Sequence, residues 1–158
     1  MGPPIFIDSG YLYALHDKND KYHKAAQREY ELAEKRRKVT TSAVLLECGD
    51  GFSDRFNWSV FQSIMKDLQD DSLVEIVYVD RGWLDRAIAY RSARDPARPN
   101  RSVIRHTKAK RPWQLTDCIS FVVMKQRKIV EALTVDEHFR DAQFLTPLLG
   151  LGKERKIR

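Results

Sequence analysis

Cysteine is scarce in this chain of 158 residues, and its two copies are not placed for metal binding or for a disulfide framework. Cys48 and Cys118 each lie inside an apolar, helix-like stretch, and no C-x-x-C pair is present. A zinc site or a disulfide scaffold would need cysteines at short, repeated spacings. The sequence therefore predicts two buried thiols in a reducing, cytoplasmic environment.

Long apolar runs and glycine-rich phosphate loops are also missing. No stretch approaches the roughly 20 residues that a membrane-spanning helix needs. The N-terminal MGPPIFID has no basic start followed by an apolar segment, so we expect neither a signal peptide nor a membrane contact. Neither G-x-x-x-x-G-K-[ST] nor G-x-G-x-x-G occurs, which argues against these nucleotide-binding loops.

Basic residues outnumber acidic ones by 28 to 22, which gives a net charge of +6 and favours a polyanionic partner. Between residues 91 and 111, eight basic side chains face one acid, Asp95. The proline-containing segment at about 94–112 is predicted to be a loop or an insertion. It is compatible with a solvated loop, a track for the RNA backbone or a protein contact. The residues that would contact RNA are Arg101, Arg105, Lys108, Lys110 and Arg111.

Short β-rich runs alternate with amphipathic helical patterns along the chain. The predicted strands are IFI (5–7), VTTS (39–42), VEIVYVD (74–80) and ALTV (132–135). This alternation predicts an α/β fold, a three-layer sandwich with a central parallel sheet of about four to five strands flanked by helices. We expect one domain over residues 1–150, followed by a basic tail at 151–158.

Three helical stretches show apolar residues on one face. The first is predicted over 20–37 with Tyr22, Ala26, Tyr30 and Ala33 on that face. The second and third are predicted to bury Trp58, Phe61, Met65 and Leu68, and then Leu115, Cys118, Ile119 and Val122.

Four acids stand at positions where a charge is unusual. Asp8 and Asp136 each follow a predicted strand, where ligand sites of parallel sheets lie, although an aspartate there also caps helices. Glu47 lies within VLLEC, whose neighbours predict burial, so it should pair with an arginine or bind a metal. Asp117 opens an apolar helix, where an acid also complements the helix dipole. Asp80 ends VEIVYVD and is expected to act only as a cap.

A cluster of these acids would repel itself unless protons or cations neutralised it. Ligands that are all oxygen suit Mg²⁺ or Mn²⁺ better than zinc. Two such ions about 3.5–4 Å apart can activate a water and stabilise the oxygen that leaves a phosphate. A basic chain with an acidic, metal-holding cleft is typical of a nuclease.

Four stretches carry a resemblance to a known family: FIDSGYLYAL, SAVLLECGD, WQLTDCISFVVM and EALTVDEHFRDAQF. In order and spacing they resemble the motif blocks of PIN-domain nucleases, over nearly the whole chain. The last two look most like the VapC-type branch, known mainly as toxins of type II toxin–antitoxin pairs. The resemblance implies that Asp8, Glu47 and Asp117 are the core Mg²⁺ or Mn²⁺ ligands, and that Asp136 is a fourth catalytic acid, often bound through water.

The resemblance also implies hydrolysis of RNA to a 5′-phosphate and a 3′-hydroxyl, a small antitoxin partner and a homodimer. Ser9, Thr116 and Thr134 occupy positions where the family keeps small hydroxyl residues that orient ligands or water. His138 is expected to pack structurally. Two alternatives remain: a PIN nuclease of RNA maturation or turnover without an antitoxin, and a non-catalytic module that binds RNA or protein. The presence of all four acids favours an enzyme.

Overall fold

The computed structural model describes residues 2–54, 57–94 and 113–150. Within them, one sheet of four parallel strands has the order β3-β2-β1-β4. The strands are β1 (Ile5–Ile7), β2 (Lys38–Thr41), β3 (Val74–Val77) and β4 (Ala132–Leu133). The predicted parallel α/β sandwich is confirmed. Predictions for residues 95–112 and for the tail at 151–158 fall outside the described residues.

Seven α-helices and one short 3₁₀ helix, at Pro147–Leu149, surround the sheet in the described part of the chain. They are α1 (Ser9–His16), α2 (His23–Leu32), α3 (Ser42–Gly51), α4 (Trp58–Asp70), α5 (Arg81–Ala93), α6 (Leu115–Gln126) and α7 (Glu137–Asp141). None of them is long and apolar enough to cross a membrane. Asp80 accepts a hydrogen bond from the Trp83 N–H at 3.0 Å, so its predicted role as the cap of α5 is confirmed.

The central strand β1 is buried on both faces of the sheet. Ile5 and Ile7 belong to one apolar cluster with α1, α2 and α4, whereas Phe6 belongs to the cluster on the opposite face with α6 and α7. This division follows from the alternation of side chains along a strand. Because no face of β1 meets water, its three residues are all apolar, and the first charge comes only where the strand ends.

Three helical patterns extend less far into the core than their periodicity predicted. Helix α2 occupies His23–Leu32 and not 20–37, and Tyr30 on it is 55% exposed. Trp58 and Leu115 are 45% and 41% exposed, contrary to prediction. Each is the first residue of its helix, where an apolar pattern can run past the part that packs on the sheet.

The strand order creates a crevice at one edge of the sheet. From β1 the chain proceeds to β2 and β3 on one side, and β4 then adds on the other side of β1. In open parallel sheets, a crevice forms at the carboxyl ends of the strands where the order reverses. Those ends lead directly into Asp8 after β1 and into residues 134–136 after β4.

Candidate active site

Asp8 is fixed by a partner from the other end of the chain. It stands at the N-cap position of α1, but its side chain makes no cap hydrogen bond, so its interpretation as a helix cap is wrong. Its Oδ2 instead accepts a hydrogen bond of 2.7 Å from the Thr134 hydroxyl. Both side chains are buried. This bond holds the ends of β1 and β4 together at the crevice.

Gly10 allows the turn after β1 to lie against the turn after β4. A Cβ atom at Gly10 would be 2.5 Å from Cγ2 of Val135, closer than any stable contact. A side chain here would therefore push apart the two turns that carry Asp8 and Asp136.

Asp136 does cap a helix, and it also lies beside the other acids. Its Oδ1 accepts the backbone N–H of His138 at 2.8 Å, at the start of α7. Its own N–H donates to the Thr134 hydroxyl at 3.0 Å. The side chain remains 41% exposed. The cap and a role in ligand binding are therefore compatible, because the cap engages one oxygen.

Asp117 lies in the first turn of α6 and is buried. Its Oδ2 accepts two hydrogen bonds, from the Gln114 backbone N–H at 2.9 Å and from Nδ1 of His138 at 3.0 Å. The first supports the helix start, as an acid at this position does elsewhere. The second links α6 to α7.

Glu47 is exposed, contrary to the burial that its apolar neighbours predicted. It lies on the outer side of α3, where Leu46 is also 72% exposed. Its Oε2 accepts a hydrogen bond of 3.2 Å from the Ser9 hydroxyl. The alternative that an arginine neutralises it is not met within the described ranges, where no lysine or arginine forms an ion pair with it.

The four carboxylates act electrostatically as one cluster. The pKa of Asp8 is raised to about 7, chiefly by burial and to a smaller extent by the charges of Glu47 and Asp117. Glu47 is exposed, but the surrounding protein removes part of its water; this partial desolvation raises its pKa, and the charges of Asp117 and Asp136 raise it as well. Burial also raises the pKa of Asp117, and the Asp136 charge adds to that increase. Protons or a cation must therefore offset the repulsion near neutral pH.

In each carboxylate, one oxygen accepts the hydrogen bonds described above, and the other oxygen takes no part in those bonds. The engaged atoms are Oδ2 of Asp8, Oε2 of Glu47, Oδ2 of Asp117 and Oδ1 of Asp136. A carboxylate held by one oxygen can still offer the other to a cation. An oxygen-rich donor set with a net negative charge suits a hard divalent cation. Within the described residues, the group whose possible ligand atoms lie within 4.8 Å of one another comprises Asp117, Asp136 and His138, and it does not include Asp8 or Glu47.

The family model described as PIN domain matches residues 5–145 of this sequence. The chain belongs to the PIN domain family. Comparison with curated proteins finds no match. Among solved structures, the chain is similar to the toxin VapC20 of Mycobacterium tuberculosis, described as cleaving the sarcin-ricin loop. The TM-score is 0.69 at 22% identity, over 89% of this chain and 96% of that chain. At this identity the likeness shows a shared fold.

The three hydroxyl residues predicted to orient ligands differ in their surroundings in this PIN domain. Ser9 donates to Glu47, and Thr134 donates to Asp8. Thr116 is half-buried, and its backbone carbonyl accepts the Ser120 hydroxyl at 3.1 Å. Within the described ranges the Thr116 side chain forms no hydrogen bond, so only Ser9 and Thr134 contact the acids.

His138 contacts two of the four acids, although the sequence did not predict that it would. It was expected to pack structurally, and it is indeed 7% exposed. Its Nδ1, however, lies 3.0 Å from Oδ2 of Asp117 and 3.4 Å from Oδ1 of Asp136. The only signal in the sequence is the D-x-H spacing at the start of a short helix, which keeps residue 138 beside residue 136.

Proposed function

We propose that this PIN domain is a metal-dependent endoribonuclease and the toxin of a type II toxin–antitoxin pair. The observation that carries the proposal is the cluster of four acids, each fixed through one oxygen. Asp8, Glu47 and Asp117 would contact the ion, Mg²⁺ or Mn²⁺, and Asp136 would complete the site, in part through water. A bound divalent cation would activate a water and stabilise the oxygen leaving the phosphate.

The other residues of the cluster have supporting roles in this proposal. Thr134 holds Asp8, and Ser9 holds Glu47, so that neither carboxylate needs to reorganise when RNA binds. Water would form a bond to phosphorus while the bond to the 3′-oxygen breaks, leaving a 5′-phosphate and a 3′-hydroxyl. The buried thiols Cys48 and Cys118 have no part in this chemistry, because burial raises the pKa of each.

The basic, proline-containing segment at about 94–112 is part of the proposed RNA interface. The described residues at its two ends, Arg94 and Trp113, both contact the Tyr90 ring. The Arg94 guanidinium lies 3.5 Å from the Tyr90 ring centroid, and the Trp113 ring stacks on Tyr90 with 5.9 Å between the centroids. The chain then enters α6 and reaches Asp117 within one turn. We propose that Arg101, Arg105, Lys108, Lys110 and Arg111 neutralise RNA phosphates near the acids.

The toxin role is proposed by analogy with VapC20, which is similar in fold and is described as a toxin that cleaves the sarcin-ricin loop. It implies a small antitoxin, a homodimer and a cytoplasmic location. Exposed aromatic residues such as Tyr30 and Trp58 offer surface for these contacts. A small reading frame directly upstream of the gene is expected. Its product should bind the purified chain and suppress cleavage, and failure to suppress would favour an RNA-processing nuclease without an antitoxin.

Cleavage of total cellular RNA tests the catalytic proposal. The purified protein should cut RNA with Mg²⁺ or Mn²⁺ at sites mapped by their 5′-phosphate ends, and a chelator should stop the reaction. Asp8→Asn and Asp117→Asn should abolish cleavage while the circular dichroism spectrum stays native. Asp85→Asn, an exposed aspartate on α5, is the control and should cut like the wild type. Cleavage by Asp8→Asn or Asp117→Asn at the wild-type rate would show that the metal site is misassigned.

A further inference from the structure

His138 lies between two of the acids and contacts both through one atom. Nδ1 is 3.0 Å from Oδ2 of Asp117 and 3.4 Å from Oδ1 of Asp136. A carboxylate oxygen accepts hydrogen bonds, so the imidazole donates its Nδ1 proton. The ring is 7% exposed, and the backbone N–H of the same residue donates to Asp136 at 2.8 Å. Burial of the ring and the backbone contact at the start of α7 therefore hold the Nδ1 donor in place.

The hydrogen bond to Asp117 restricts that carboxylate from two sides. Gln114, the N-cap residue of α6, donates to Oδ2 from its backbone, and His138, in α7, donates to the same oxygen from its ring. Two donors on one oxygen limit the rotation of the carboxylate and leave Oδ1 outside these bonds. A donor placed between two acids also reduces their mutual repulsion when no cation is bound.

We propose that His138 is a positioning residue of the acidic site. Its Nδ1–H holds Asp117 so that the remaining oxygen meets a divalent cation without reorganisation. The inference rests on the proposed function, since it assumes that Asp117 binds a cation. It differs from ligation of the cation by Nδ1, because a nitrogen that donates its proton to a carboxylate has no lone pair for a metal. Hydrogen-bond partners of metal ligands characteristically tune metal affinity in this way.

Mn²⁺ binding to the purified full chain tests the inference with a matched pair of variants. His138→Asn keeps an amide N–H close to the Nδ1 position, and His138→Leu has nearly the same shape as asparagine without a donor. We expect His138→Leu to bind Mn²⁺ roughly 10- to 100-fold more weakly by calorimetry, and His138→Asn to stay within about threefold of the wild type. His23→Leu is the control, because His23 Nδ1 lies 2.8 Å from the Ala14 carbonyl, away from the acids. It should bind Mn²⁺ normally.

Several outcomes would overturn the inference. Wild-type Mn²⁺ affinity in His138→Leu would show that the donor is not needed, and equal losses in both variants would show that an N–H at this position is not enough. Nitrogen hyperfine coupling to bound Mn²⁺ that disappears in His138→Asn would show direct ligation. If His138→Leu does not fold, His138→Gln takes its place, because the glutamine amide lies one bond beyond the Nδ1 position and so does not replace that donor. His138→Gln should bind Mn²⁺ weakly, and wild-type Mn²⁺ affinity in this variant would overturn the inference.

Asp117→Asn separates this inference from the proposed function. If Asp117→Asn binds Mn²⁺ like the wild type, the proposed metal site itself is wrong. If Asp117→Asn loses Mn²⁺ while His138→Leu keeps it, the metal site stands and the positioning role of His138 fails.

Discussion

Replacing Asp8 by asparagine should stabilise the metal-free protein at neutral and alkaline pH. The Asp8 carboxyl has its pKa raised to about 7, chiefly by burial, from an ordinary value of 3.8. Between these two values the folded chain binds a proton that the unfolded chain has released. The free energy of unfolding therefore decreases as the pH rises through this window. The penalty is absent below about pH 4 and complete above about pH 7.

The size of this effect follows from the pKa difference. Each pH unit within the window costs about 1.4 kcal/mol, so the whole interval from 3.8 to about 7 costs at most roughly 4 kcal/mol. Asparagine keeps an oxygen that accepts the Thr134 hydroxyl but carries no charge at any pH. Asp8→Asn should therefore recover most of this free energy at about pH 8, a rise in melting temperature of roughly 10 °C for a chain of this length.

Thermal unfolding with a chelator, between about pH 4 and pH 8, measures the effect. The wild type should lose stability along this range, and Asp8→Asn should lose much less; a residual slope from Glu47 and Asp117 is expected, because their pKa values are also raised. Mn²⁺ should then stabilise the wild type and not the variant. Asp85→Asn, on the surface, should follow the wild type. If Asp8→Asn is no more stable than the wild type at the alkaline end, the electrostatic account of the cluster is wrong.

Three further outcomes are expected. Thr134→Val removes the donor to Asp8 and should lower the free energy of unfolding by about 2 kcal/mol in urea titrations; a change near zero would contradict the importance of this bond. Glu131→Ala removes the buried carboxylate that pairs with half-buried Arg36 at 2.9 Å and should lower the free energy of unfolding by about 3 kcal/mol. Glu75→Ala, at a more exposed pair, should lower it by under about 1 kcal/mol. Equal losses would contradict the difference in burial. The last variant replaces with alanine four basic residues of the segment at 94–112: Arg101, Arg105, Lys108 and Lys110. In this variant, the slope of the logarithm of the RNA-binding constant against the logarithm of salt concentration should become shallower by about 0.7 for each phosphate that is no longer neutralised. An unchanged slope would show that these residues have no role in RNA binding.

The strands and the acids at their ends were predictable because each depends on local pattern. IFI is wholly apolar and then stops at Asp8, which is what a strand buried on both faces followed by a polar edge requires. The reversal of strand order between β1 and β4 then brings Asp8 and the 134–136 turn together without further information. Asp80, which ends the predicted strand at 74–80 but lies beyond the end of β3 at Val77, was correctly separated from this group as the cap of α5.

Contacts between distant segments were not predictable. The apolar residues around Glu47 indicated burial, but local composition does not show which side of α3 faces away from the sheet. His138 and Asp117 are 21 positions apart, and nothing in either segment indicates that α6 and α7 place them together. Leu115 has the spacing of a core residue, yet it begins its helix and remains exposed. Each of these errors concerns the direction of a side chain and not the existence of an element.

The bond between Asp8 and Thr134 joins residues separated by 126 positions, and this has a consequence for synthesis of the chain. The ribosome makes Asp8 and Glu47 well before residues 134–138, which follow β4 and include Thr134, Asp136 and His138. An incomplete product ending before β4 lacks these partners all at once. If the cluster cuts RNA as proposed, the fold delays that activity until β4 and α7 have been synthesised. The message and ribosome that make the protein are not exposed to an assembled site before that point.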